Sequence, residues 1–178
     1  MSFASDYNVF SNYHQFYTTE KTWSMIKDIV PKNKIIYEAC MLNAELSNSP
    51  QTLTALTGNK VLYNTKHNFL EYHEFEDQCD IIITNPPFET DIKKKILKKL
   101  VDLDKPFIIV LNHTNIFTKY FREIFKNKLD KIQVLIPNNK LSFYCLENNN
   151  KLKEYKNMGF YSCFVAYKMD LKPDQIFL

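Results

Sequence analysis

Two adjacent prolines at the end of a strand-like run of isoleucines, with two residues between the last isoleucine and the first proline, constrain this chain more than any other feature. The run is Asp80-Ile81-Ile82-Ile83-Thr84, and Asn85-Pro86-Pro87-Phe88 follows it. Continuous β-branched residues predict a strand buried on both faces, as in a parallel sheet covered by helices. Proline donates no backbone hydrogen bond and holds φ at about −65°. It also pushes the residue before it into extended backbone. The strand must therefore end here, in a stiff corner that fixes Asn85 and Phe88 and leaves nearby carbonyls free as acceptors.

The rest of the chain alternates helix and strand patterns. A helix is expected from about Glu20 to Val30, capped by Thr18 or Thr19 and stopped by Pro31 and Asn33. Lys34 to Glu38 reads as a buried strand. Ser49-Pro50 opens a short helix that Gly58-Asn59 closes, and Lys60 to Tyr63 is the next strand. Asn64 to Gln78 shows little pattern. Thr90 to Leu103 is a strong helix, with Ile92, Ile96, Leu97, Leu100 and Val101 on one face and Lys93, Lys94, Lys95, Lys98 and Lys99 on the other. Then come a strand at Phe107 to Leu111, a helix at Ile116 to Lys126, a strand at Lys131 to Ile136, a polar loop at Pro137 to Gly159, and a strand at Tyr161 to Tyr167. Such alternation predicts one α/β domain over residues 1–178 with a mostly parallel, doubly wound sheet. Ligands in such sheets bind beyond the carboxyl ends of the strands, where Asn85 falls.

Composition bounds the setting. No apolar run approaches the roughly 18 residues of a membrane helix, so no membrane partner is expected. The four cysteines form no C-x-x-C pair, and no histidines share ligand spacing, so no metal site is expected. Scattered cysteines and an N-terminus without a basic or apolar leader read as a reduced, intracellular protein, cytoplasmic or nuclear. Net charge is only +3, but unevenly spread. Residues 1–88 carry six Lys/Arg against ten Asp/Glu, and residues 89–178 carry seventeen against ten. The basic half reads equally as a face that meets phosphates or as a solvated lysine-rich surface.

The segment Ile-Ile-Ile-Thr-Asn85-Pro86-Pro87-Phe88 resembles the catalytic motif of Rossmann-like amino-methyltransferases that depend on S-adenosyl-L-methionine (SAM). The form with Phe88 is similar to adenine-N6 methyltransferases of DNA and RNA, viral and phage enzymes among them, and to guanine-N2 methyltransferases of ribosomal RNA. A form with tyrosine is shared with protein-glutamine methyltransferases. The resemblance implies a Rossmann-like fold, SAM as cofactor, and DNA or RNA as partner. It further implies that the Asn85 side-chain oxygen and the Pro86 carbonyl accept the two amino hydrogens of the base, with Pro87 stiffening the corner and Phe88 stacking. Two acceptors at tetrahedral angles localise a nitrogen lone pair otherwise delocalised into the ring. No strong base is then required, and holding the reactants in line supplies about 7–11 kcal/mol.

Other segments carry the resemblance further. Phe16-Tyr17-Thr18-Thr19 is similar to the aromatic-Tyr-Thr cofactor segment, which gives Tyr17 and Thr18 to the methionine part of SAM. Glu38-Ala39-Cys40 resembles the acidic turn of the main cofactor motif. Asn68-Phe69-Leu70 resembles the Asp-Phe-Leu that holds the adenine of SAM, and Asn64 or Thr65 stands where an acid usually meets the ribose. Departures are visible. No glycine occurs between Met41 and Ser47 to let backbone approach a ligand, and Asn64 and Asn68 lack the usual charge. These departures support a rival expectation, a non-catalytic subunit that binds nucleic acid or an active partner in a homo- or hetero-oligomer. Ile136 to Phe143 followed by Phe160 to Val165 resembles the end of viral and phage adenine methyltransferases. There Lys140 reads equally as a phosphate contact or a loop lysine, and Phe143 as a base-flanking ring or a core ring.

Overall fold

The computed structural model describes residues 16–41, 46–146, 152–155 and 159–178. Its strands are β1 (Phe16–Thr18), β2 (Ile35–Glu38), β3 (Lys60–Tyr63), β4 (Ile81–Thr84), β5 (Phe107–Asn112), β6 (Ile132–Leu135), β7 (Phe143–Leu146), β8 (Leu152–Tyr155) and β9 (Ser162–Tyr167). Its α-helices are α1 (Glu20–Ser24), α2 (Ser49–Thr57), α3 (Thr90–Leu103) and α4 (Lys119–Phe125). Six strands form the main sheet in the order β3-β2-β4-β5-β9-β6. β3, β2, β4 and β5 run parallel. β9 runs antiparallel to both β5 and β6, so β6 points the same way as β5. The fold is Rossmann-like.

Strand residues alternate between two cores, as a two-sided parallel sheet demands. Ile36, Ile81, Ile83, Ile108, Val110, Phe164 and Ala166 face the core shared with Trp23, Ile26 and Leu53. Tyr37, Ile82, Phe107, Ile109, Leu111, Val165 and Tyr167 face the core shared with α3 and α4. Helices thus cover both faces, which defines the doubly wound form. Asn59 aligns β2 with α2's end: its side-chain oxygen accepts from the Lys34 amide at 3.0 Å, and its Nδ2 donates to the Pro31 carbonyl at 2.9 Å.

Four sequence expectations change. The helix expected to Val30 is α-helical only to Ser24. Beyond it Met25, Ile26, Lys27 and Ile29 donate to carbonyls three residues back. That tighter winding puts Trp23, Ile26 and Ile29 on one buried line, matching three residues per turn. The helix expected from Ile116 splits into a 3-10 turn, His113–Phe117, and α4. Asn112 and Thr118 each cap a new start, through Thr114 N at 3.0 Å and Phe121 N at 3.3 Å. The loop expected from Pro137 holds β7 and β8, which form a second, antiparallel sheet with β1. The all-lysine outer face of α3 is also wrong at Lys93, which is buried.

Gly58 ends α2 in the left-handed conformation, φ +71°, with its amide on the Thr54 carbonyl at 2.8 Å. A Cβ here meets nothing within 4 Å, so only backbone strain opposes a side chain. Gly58→Ala is expected to cost about 1 kcal/mol in urea unfolding. No change in stability would mean that the turn relaxes out of the left-handed region.

Candidate active site

Strand order makes the site. The connection from β2 runs outward to β3, and the next strand, β4, lies on the opposite side of β2. The carboxyl ends of β2 and β4 therefore flank a topological switch point, where open α/β sheets leave a crevice. Glu38-Ala39-Cys40 leaves β2 there and Asn85-Pro86-Pro87-Phe88 leaves β4. Thr84, the last residue of β4, ties the two ends together. Its hydroxyl donates to Glu38 Oε1 at 3.1 Å and accepts from the Cys40 amide at 2.9 Å.

Glu38 is buried. Burial raises its carboxyl from the usual 4.5 to about 7, and hydrogen bonds from Thr84 and the Cys40 amide oppose this only in part. Asn85 lies beside it on the cleft wall, half-buried. Its Nδ2 donates to the Phe16 carbonyl at 3.0 Å, which couples the corner to β1. Its Oδ1 is buried and accepts no hydrogen bond among the described residues. An unsatisfied buried amide oxygen costs about 1–3 kcal/mol. The atom is thus open to a donor that the described residues do not supply.

β1 supplies another wall of the cleft. Phe16, Tyr17 and Thr18 line it, and Tyr17 and Thr18 are buried. Thr19 caps α1 by accepting from the Thr22 amide at 3.2 Å. Thr19 and Thr22 also anchor the segment to Ser142, the Thr22 hydroxyl on the Ser142 carbonyl at 2.9 Å and the Ser142 amide on the Thr22 hydroxyl at 3.0 Å. On the far side Cys40, Met41, Ser47 and Ser49 complete the wall. Residues 42–45 of the glycine-free turn lie outside the described residues.

No family model matches the chain. No curated protein matches it either. Among solved structures, it is similar to a SAM-dependent O-methyltransferase from Thermotoga maritima, at 14% identity and a TM-score of 0.41. The alignment covers 83% of this chain and 64% of that one. At those values the resemblance adds nothing to what the strand order already establishes.

The aromatic residues group on the other side of Asn85. Phe88 is half-buried, with its ring edge-on to Phe16 at 4.8 Å and to Phe143 at 6.0 Å, and tilted on Phe160 at 5.3 Å. Phe143 is 1% exposed and belongs to the core, which favours the core reading of the two its sequence position offered over the base-flanking one. Lys140 places its ammonium 4.6 Å from the centroid of the exposed Tyr161 ring. Pro86 is buried and Pro87 half-buried, and no hydrogen bond engages the Pro86 carbonyl among the described residues.

Three residues expected around the cofactor's nucleoside are occupied locally. Asn64 Oδ1 accepts from the Lys66 and His67 amides, and Asn68 Oδ1 from the Leu70 amide at 2.8 Å. Phe69 is 2% exposed and packs on Tyr37 at 5.9 Å, with Lys99 Nζ 4.4 Å from its ring centroid. None of the three is among the described residues lining the cleft. Sequence reasoning missed Thr84 and Lys93. Lys93 donates to the Phe88 carbonyl at 3.1 Å from within the core, where burial lowers its pKa. The signal existed: Lys93 lies three, four, seven and eight residues before Ile96, Leu97, Leu100 and Val101, on the apolar stripe itself.

Proposed function

We propose that this chain is a SAM-dependent methyltransferase acting on an exocyclic amine of a nucleic-acid base, adenine N6 above the others. The observation that carries the reading is the buried Oδ1 of Asn85, without a partner among the described residues, at the switch point beside the buried carboxyl of Glu38. Glu38, Ala39, Cys40, Tyr17 and Thr18 would hold SAM. When bound, it supplies a methyl group already activated on a sulfonium sulfur. Asn85 Oδ1 and the Pro86 carbonyl accept the amino hydrogens and orient the nitrogen lone pair. Phe88, backed by Phe16 and Phe160, gives the base an apolar wall. The hydrogen-bonding chemistry of the cleft suits such a ligand. Its room does not: about 20 Å³ is open, about one water, against roughly 300–1,000 Å³ for sites that bury a drug-sized ligand. Cofactor entry therefore requires the cleft walls to part.

The small volume of the cleft also favours the rival reading of a non-catalytic subunit. Calorimetric titration of the whole chain with SAM separates the two. Micromolar binding, with radiolabelled methyl transfer to DNA or RNA oligonucleotides, is the expected result. Absence of binding up to millimolar SAM, with or without oligonucleotide, would leave only the non-catalytic role.

A further inference from the structure

A groove of about 570 Å³ runs along α4, lined by Phe117, Lys119, Arg122, Glu123, Lys126 and Leu129, none of which lines the cleft. Three features set it apart. Phe117 is 81% exposed and Leu129 58%, so water covers a large aromatic ring and an aliphatic side chain together. Arg122 is the single arginine of the chain, exposed and without a described side-chain partner. Among the described residues Lys126 likewise has no side-chain partner, and Lys119 reaches only Glu123, at 3.7 Å between two largely exposed side chains.

The lysines of α3 behave differently. Lys93 is engaged with the Phe88 carbonyl, Lys94 with Asp91, Lys98 with Asp102 and Lys99 with Glu76. Of the α3 lysines only the exposed Lys95 has no described partner, so most of that helix's charge is engaged within the protein. Along α4 the cations remain available. Positions 119, 122 and 126 also fall on one helical face.

The chemistry of the groove alternates. A guanidinium presents a planar fork that matches two phosphate oxygens, and two ammonium groups extend the same track. An exposed ring at its head offers a π-face, which a base can use only when unstacked. An acidic protein surface would use the cations but leave the ring without a role. A duplex would use the phosphate track but keep its bases inside. Position supports the same occupant. The 3-10 turn bearing Phe117 leaves the carboxyl end of β5, the strand beside β4, whose carboxyl end carries Asn85.

We propose that this groove binds single-stranded nucleic acid flanking the target base, with backbone phosphates on Lys119, Arg122 and Lys126 and one base stacked on Phe117. The proposal rests on the base-methylation reading for its choice of ligand, but its test stands apart.

The probe is a fluorescently labelled single strand of about 12 nucleotides, within the usual footprint of such grooves, followed by anisotropy with the whole chain. The same sequence as a duplex and a poly-glutamate peptide serve as competitors. The double variant R122E/K126E is expected to weaken binding at least tenfold and to lower the slope of log affinity against log salt by about 1.4, at about 0.7 per lost phosphate contact. F117A is expected to weaken it roughly tenfold at unchanged salt slope. These substitutions are on the surface, and unchanged circular dichroism verifies the fold. Binding by either variant as tight as wild type overturns the groove. So does a duplex or poly-glutamate that competes as well as the single strand. Asn85→Ala separates the two readings: intact methyl transfer by that variant defeats the proposed function and leaves the groove standing, whereas intact binding by the groove variants defeats the groove alone.

Discussion

Asn85→Ala is expected to reduce methyl transfer about 100- to 1,000-fold, the usual loss for one preorganised hydrogen-bonding group, or about 2.7–4 kcal/mol. Stability should barely move. The substitution removes the bond from Nδ2 to the Phe16 carbonyl, worth about 1 kcal/mol, but it also removes a buried oxygen that has no partner among the described residues, which relieves a comparable cost. A residue kept for folding alone shows the reverse pattern, lost stability with proportionate lost activity. SAM affinity, read by titration, should stay within a few-fold of wild type, because Asn85 faces the amine rather than the cofactor in this reading. Asn85→Asp provides the stricter check. It keeps an acceptor at the same position but loses the donor to Phe16, so it should retain more activity than alanine. Activity near wild type for Asn85→Ala would remove the central support of the proposal.

Much of this site is legible in the sequence alone. The isoleucine run and the two prolines placed Asn85 at a strand end, and strand-helix alternation placed that end at the ligand side of the sheet. Both follow from local rules: β-branched burial, proline's missing donor, and the 3.6-residue stripe of α3. What stayed hidden depends on contacts between distant parts of the chain. β1 pairs with β7 across more than 120 residues, and neither strand exceeds four residues. No local pattern announces such a pairing, so the sequence of β7 and β8 reads as loop and that of β1 only as a cofactor segment. Thr84 looked like the end of a strand, and its bridge between Glu38 and Cys40 exists only because β2 and β4 are neighbours. Phe69 matched a cofactor segment by order in the sequence, but Tyr37 and Lys99 draw it into the core. Segment likeness conveys order along the chain, and packing decides which side chains reach the cleft.

Glu38→Gln is expected to be more stable than wild type by about 3 kcal/mol at pH 8 and equal to it below pH 4.5. The carboxyl titrates at about 7 when folded, against 4.5 ordinarily, because burial disfavours its charged form. Between those two values the unfolded chain has released its proton while the folded chain retains it. Stability of the wild type must therefore fall as pH rises through that window and level off above about 7. Glutamine keeps the shape and an acceptor for Thr84 but carries no proton to lose, so the slope disappears. Urea unfolding of both proteins from pH 4.5 to 8 measures the difference, in which every other titrating group cancels. Parallel curves would show that water or a neighbouring cation solvates the carboxylate after all. The same group reports on ligand binding. A cofactor that donates hydrogen bonds to Glu38 stabilises its charged form and pulls its pKa back down. SAM binding near pH 7 should therefore release a fraction of a proton, visible as a dependence of the calorimetric heat on the ionisation enthalpy of the buffer. Glu38→Gln abolishes that release, whereas a cofactor held elsewhere leaves wild type and variant alike.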